Sequence, residues 1–172
     1  HYYEQPGWFV NHQDYYDSYD RQQPKVYLGE YASRGKDALD NALAEGIHLC
    51  NVERNGDVVE MASYAPLLSK DGYSNWSPDM IYFNNNKVRA SQSYEVQKMF
   101  SVHAGDNYVE SKLDLPASLR RYVGISVVKD SKSGKTWLKV VNALPCKLKL
   151  KLSGLSHQEI AIDARKYNVW PL

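Results

Sequence analysis

Glu30 is the residue whose setting most suggests chemistry. It closes the run Lys25-Val26-Tyr27-Leu28-Gly29-Glu30. Val26, Tyr27 and Leu28 suit a pleated interior surface. Pro24 fits the start of a strand, since it cannot donate a ladder hydrogen bond, and Gly29 lets the backbone pass close to a neighbour. A helical pattern follows almost at once. A carboxylate at the carboxyl end of a strand that feeds a helix is where (β/α)-barrel enzymes place catalytic groups. The competing reading is a solvated loop acid or an ion-pair partner. Glycoside hydrolysis with retention uses two carboxylates about 5–5.5 Å apart. Glu30 can be one of them. Glu4, Glu45, Glu53 and Glu60 read as solvated helix or loop acids, so no second is evident.

Other chemistries find less support. His1, His12, His48, His103 and His157 are scattered and lack cysteine partners, so no zinc site is expected. Asp14, Asp17 and Asp20 alternate with tyrosines, but the glycine and closing glutamate of a calcium loop are missing. No Gly-x-Ser-x-Gly nucleophile elbow and no phosphate-cradling glycine loop occurs. Cys50 falls on an apolar helix face, and free thiols are expected for Cys50 and Cys146.

The elements that must position Glu30 are legible from periodicity. His1-Tyr2-Tyr3 could end a strand, with His1 and Tyr3 on one side. Pro6 suits a first helical turn ahead of Trp8, Phe9 and Val10. Asp37 can cap a helix in which Leu39, Leu43, Ile47 and Cys50 recur at helical spacing. Asn55-Gly56-Asp57 interrupts it, and a second short helix is expected to carry Val58, Val59, Met61 and Ala62. A turn-rich loop then holds Tyr73, Asn75 and Trp76. Ser93 can cap a third helix that stops near Gly105. Beyond that point the period becomes two, and strands are expected over 108–115, 122–129, 136–142, 147–152 and 159–162. Asp130 to Gly134 reads as a hairpin turn. The alternation of Lys147, Lys149 and Lys151 with Leu148, Leu150 and Leu152 gives one wet and one buried face.

The fold class that follows is mixed α and β. Residues 1–104 form βα units and residues 105–172 an antiparallel β-sandwich. Composition agrees with a soluble globular protein: 24% of the 172 residues are charged and 43% hydrophobic. A net charge of +1 gives no electrostatic case for nucleic acid or an anionic membrane. No apolar run nears the roughly 20 residues that span a bilayer. The 14 Tyr and 4 Trp combine flat apolar faces with polar tips, which suits stacking on sugar rings. The abrupt start at His1, without a signal-peptide pattern, suggests a piece of something longer.

Several runs resemble the family 51 α-L-arabinofuranosidases. Val26-Tyr27-Leu28-Gly29-Glu30-Tyr31-Ala32 is similar to the nucleophile strand of that family. The long run from Glu53 through Asn55-Gly56-Asp57-Val58-Val59-Glu60-Met61-Ala62-Ser63-Tyr64-Ala65-Pro66 to Leu68 is strongly similar to it, and so is Asn75-Trp76-Ser77-Pro78-Asp79-Met80-Ile81-Tyr82-Phe83-Asn84. His1-Tyr2-Tyr3 resembles the end of the preceding barrel strand. The strong similarity covers about residues 1–104, and the sandwich region matches more weakly.

The resemblance implies the last βα elements of a (β/α)8 barrel followed by a jelly-roll-like sandwich. It implies a retaining double displacement with Glu30 as nucleophile and His1, Tyr3 and Trp76 binding substrate. It implies no cofactor and no metal, a polysaccharide or oligosaccharide substrate of the arabinan or arabinoxylan type, and a secreted or periplasmic location; oligomerisation stays open. The acid/base glutamate of the family belongs to an Asn-Glu pair on an earlier strand, and no such pair occurs here. The chain alone is therefore expected to be inactive. Some relatives carry Gln and Trp where this chain has Pro66 and Arg34. The alternative is a non-catalytic carbohydrate-binding or structural β module, which a missing acid/base would also fit.

Overall fold

The computed structural model describes residues 2–172. Strand β1 (Tyr2–Glu4) leads into helix α1 (Pro6–Asn11), which has Pro6 in its first turn and buries Phe9 and Val10. Strand β2 (Val26–Ser33) is followed by helix α2 (Ala38–Arg54) and strand β3 (Val59–Tyr64). The three strands form one parallel sheet in the order β1-β2-β3. Asp37 caps α2 as expected: its Oδ1 accepts from the Leu39 and Asp40 amides at 2.8 and 3.1 Å.

The expected short helix over 58–62 is instead β3. Val58, just before the strand, and Val59, its first residue, are buried with Tyr16, and the segment takes a place beside β2 in the ladder. Non-local pairing outweighs the local helical reading.

An excursion follows. Strands β4 (Leu68–Lys70), β5 (Ile81–Phe83) and β6 (Val88–Ala90) make a small separate sheet. The peptide bonds before Pro66 and Pro78 are cis. Helix α3 (Gln92–Val102) is capped by Ser91, not Ser93: the Ser91 Oγ accepts from the Tyr94 amide at 3.1 Å. Ser93 is buried in the first turn.

The remainder is antiparallel. Strands β7 (Asn107–Tyr108), β8 (Val123–Lys129), β9 (Thr136–Asn142) and β12 (Lys166–Pro171) form a sheet ordered β12-β9-β8-β7; helix α4 (Ala117–Arg120) precedes β8. Strands β10 (Leu148–Lys151) and β11 (Glu159–Ile162) pair in a second sheet. The turn at 130–134 joins β8 to β9, with Gly134 at φ +73, where a side chain would be strained.

Residues 108–115 are strand only at Tyr108. Val109, whose amide still donates to the Val127 carbonyl of β8 at 2.8 Å, and Leu113 and Leu115 pack against the sandwich cluster, so past Val109 the alternation records burial and not strand pairing. Lys147, Lys149 and Lys151 are exposed as expected, while Leu148, Leu150 and Leu152 are only partly buried against that cluster.

Helix α2 is the shared inner layer. Every residue from Asn41 to Asn51 is buried. A helix buried all round needs apolar cover on both sides. One face meets Leu28 and Tyr31 of β2, and the other meets Val141 of β9. Gly124 of β8 permits this close approach: a Cβ there would lie 3.0 Å from Cys50 Sγ and 3.1 Å from Ile47 Cα. The far face of that sheet carries Val123, Val127, Leu138 and Val140 toward Ile160 and Ile162 of β11. Two apolar cores therefore lie on opposite faces of one antiparallel sheet.

Candidate active site

Glu30 does not end its strand. β2 continues through Ser33, and Glu30 sits on an irregularity within it. Leu28 pairs with Ala62 and Tyr31 with Tyr64, so Gly29 and Glu30 on β2 stand against Ser63 alone on β3. This is a β-bulge, a device that re-aims a side chain out of the regular pleat. Leu28 and Tyr31 stay buried on the helix side, and Glu30 is exposed on the other.

β1 brings the second residue. Tyr3 pairs in register with Ala32, two residues beyond Glu30. The Tyr3 Oη donates to Glu30 Oε2 at 2.7 Å. Partial burial and the bond to Glu30 push the Tyr3 phenol up to about 12. It therefore keeps its proton, and its role as donor, at any ordinary pH.

Trp76 is the third. It stacks on the Tyr3 ring with centroids 6.3 Å apart and planes 25° from parallel. The loop that carries it is tied down locally: Ser74 Oγ donates to the Trp76 carbonyl and accepts from the Trp76 amide, at 3.0 and 3.1 Å. Trp76 keeps 58% of its surface open. An open indole beside a carboxylate is a platform on which an apolar sugar face can stack.

Three expected site residues thus come together. His1 lies outside the described residues. Arg34 joins them: its guanidinium lies 6.0 Å from the Tyr3 ring centroid. The sequence comparison singled it out only as the residue standing where some relatives of the resembled family carry Trp. Among the described residues no group of three or more His, Cys, Asp and Glu side chains could hold a metal ion.

Two acids differ from their expected settings. Glu45 is wholly buried beneath β2, where desolvation pushes its carboxyl up to about 7. Glu53 is mostly buried and pairs with Lys139 of β9, which has no exposed surface. Burial raises the Glu53 carboxyl despite that ammonium. Both lie on α2, whose two covered faces were not evident from a single apolar stripe. Neither is on the Glu30 side of the parallel sheet.

The geometry has relatives. The model of the α-L-arabinofuranosidase C-terminal domain family matches residues 13–168. An extracellular exo-α-L-arabinofuranosidase of Streptomyces chartreusis is 48% identical over 130 residues, covering 73% of this chain and 16% of the relative. α-L-Arabinofuranosidase 1 of Arabidopsis thaliana is 41% identical over 102 residues, 57% of this chain and 15% of its own. The chain thus spans less than a fifth of these relatives. Among solved structures, an arabinose-bound family 51 α-L-arabinofuranosidase superposes with a TM-score of 0.79 at 25% identity, over 99% of this chain and 33% of that one. The arabinose complex of the Thermotoga maritima α-L-arabinofuranosidase shares the fold, with a TM-score of 0.60 at 12% identity over 94% of this chain and 44% of that one. From residue 13 to residue 168, this chain belongs to the α-L-arabinofuranosidase C-terminal domain family.

Proposed function

We propose that this chain supplies the nucleophile and part of the sugar pocket of a retaining α-L-arabinofuranosidase. The observation that carries the reading is the Tyr3–Glu30 hydrogen bond beneath the open Trp76 indole. Glu30 attacks the anomeric carbon of a terminal arabinofuranosyl residue. The bond to the leaving oxygen breaks as the glycosyl–carboxylate bond forms, and water later releases the sugar. Tyr3 holds the attacking carboxylate in one orientation, and Trp76 gives the sugar a wall.

In this reading residues 1–104 are the C-terminal part of a catalytic (β/α) barrel and residues 105–172 a sandwich domain. Support comes from the parallel sheet itself. Such sheets are normally covered on both faces. Here α2 covers one, while Tyr27 and Met61 of β2 and β3 keep 62% and 60% of their surface open. The proton donor for the leaving oxygen then comes from sequence outside this chain, which lacks the Asn-Glu pair. The substrate class is an arabinan or arabinoxylan type of polysaccharide, and the location is secreted or periplasmic, as the extracellular relative suggests.

The test is to trap the intermediate. The complete protein is mixed with an activated aryl arabinofuranoside, quenched in acid and digested. A peptide containing Glu30 should carry the mass of one anhydropentosyl group. Its appearance on another carboxylate would remove Glu30 from the reaction. Sugar binding with no covalent label anywhere would favour a non-catalytic carbohydrate-binding module.

A further inference from the structure

The strand that carries Glu30 is gripped from the side opposite the site, just past the bulge. The Ser33 amide donates to Glu45 Oε1 at 2.9 Å. Asn41 Oδ1 accepts from Ser33 Oγ at 2.9 Å and from the Gly35 amide at 2.6 Å, and its Nδ2 donates to the Gly35 carbonyl at 2.9 Å. Asn41 and Glu45 are four residues apart on α2 and so share one helix face. Gly35 fits because it has no side chain: a Cβ there would stand 2.6 Å from Pro6 Cγ and 2.9 Å from Asn41 Oδ1. A bulge leaves a strand one residue out of step with its neighbour. The ladder with β3 alone does not fix where the surplus residue sits. Side-chain bonds to residues 33–35 can add to the β1 ladder, which pairs Tyr31, Ala32 and Ser33 in register.

Glu45 is a costly residue if its task is only packing. An apolar side chain of its size would avoid the desolvation penalty of a buried carboxyl. The Ser93 hydroxyl lies beside both the Glu45 carboxyl and the Tyr64 phenol, and among the described residues the buried Gln97 Nε2 has no hydrogen-bond partner. The groups around it are Tyr31 and Ser33 of β2, Tyr64 of β3 and Ser93 of α3, with Gln97 bonded to Tyr31 and His48 one turn further along α2. None of these is a cation, since burial holds the His48 imidazole down to about 4. Burial raises the Glu45 carboxyl to about 7, and its Oε1 accepts from the Ser33 amide.

We propose that Glu45 is a positioning residue for Glu30: with Asn41 it fixes where the bulge in β2 sits, and hence where the Glu30 carboxylate points. The proposal rests on the reading of Glu30 as nucleophile. It separates two roles that a buried acid can have. A merely structural Glu45 would change melting and leave turnover per folded molecule alone. A positioning Glu45 would change kcat at nearly constant KM, and a neutral isostere would rescue it.

The experiment uses the complete protein with Glu45→Gln, Glu45→Leu and Glu30→Gln. For each variant, kcat and KM on an aryl arabinofuranoside are measured well below its melting temperature, beside amide exchange of segment 31–35. E45Q keeps the acceptor for the Ser33 amide and should stay within about threefold of wild type in kcat. E45L loses it and should fall about tenfold or more in kcat, with KM changed less than about threefold, in line with the cost of small misplacements of reacting groups. Amide exchange in 31–35 should quicken in E45L alone. If E45L does not fold, Asn41→Ala, which removes the second grip without a charge change, carries the same expectation. A folded E45L or N41A with wild-type kcat overturns the proposal. If E30Q remains active, the reading of Glu30 fails instead, and unchanged exchange in 31–35 would then also dismiss the grip.

Discussion

The phenol of Tyr3 on β1 donates to the carboxylate of Glu30 on β2 across a parallel strand pair, at 2.7 Å. The bond is short and charge-assisted, and it joins two strands that no local interaction would align. It also ties the carboxylate to the ring on which Trp76 stacks. Tyr3→Phe deletes the donor and keeps the ring. Hydrogen bonds to charged groups are worth about 1.5–3 kcal/mol. The substitution in the complete protein should therefore lower kcat/KM on an aryl arabinofuranoside about 10- to 100-fold, with little change in melting temperature. An unchanged kcat/KM would show that the bond does not orient the carboxylate in the reacting complex.

Trp76 should act on binding more than on chemistry. Trp76→Ala removes a platform and leaves the Glu30 hydrogen bond in place. We expect KM to rise about tenfold, the worth of one stacking contact of about 1–1.5 kcal/mol, with kcat changed less. A fall in kcat at constant KM would instead place Trp76 in the support of Tyr3.

Lys139 and Glu53 join the antiparallel sheet to α2. The ammonium sits 4.8 Å from the Phe100 ring centroid and has no exposed surface; Ser126 Oγ donates to the other Glu53 oxygen at 2.5 Å. Lys139→Met strands a buried carboxylate, and breaking such a pair costs about 3–5 kcal/mol. Adding Glu53→Gln should recover much of the loss. Denaturant unfolding of the single and double variants measures both, and a double variant as unstable as K139M would mean that the methionine packs badly.

Glu45 makes stability depend on pH in a calculable direction. Its carboxyl is raised in the folded chain from 4.5 to about 7. Between those values the unfolded chain releases a proton that the native chain keeps, so stability falls as pH rises through that window, by on the order of 3 kcal/mol. His48 runs the other way: its imidazole is lowered from 6.5 to about 4, so its contribution grows as pH rises between those values. Comparing wild type with E45Q isolates the first term. E45Q should be relatively more stable at pH 8 than at pH 5, and equal pH dependence in the two proteins would deny the buried-acid assignment.

Much of this architecture is written in local pattern. The Asp37 cap, the apolar face of α2, the turn before Gly134 and the Lys/Leu alternation of β10 each follow from near neighbours in sequence. What escaped was decided at a distance. The segment 59–64 is a strand because β2 lies beside it. Glu45 and Glu53 are buried because α2 has sheets on both sides, and helical spacing reveals one apolar face, not two. Edge strand β12 was missed because its alternation, kept from Lys166 to Val169, breaks at Trp170 and Pro171. At the site, Glu30 was found from its strand and the resemblance of its neighbours. The bulge that aims it shows only in the register of β2 against β3.

The central claim is that Glu30 is the nucleophile, and Glu30→Gln in the complete protein tests it most directly. The amide keeps the shape and removes the negative charge that attacks the anomeric carbon. Hydrolysis of an activated aryl arabinofuranoside is measured beside the melting temperature. We predict a loss in rate of about 10³-fold or more and a melting temperature within about 2 °C of wild type, because Glu30 is exposed and its loss opens no cavity. Activity near wild type would contradict the account.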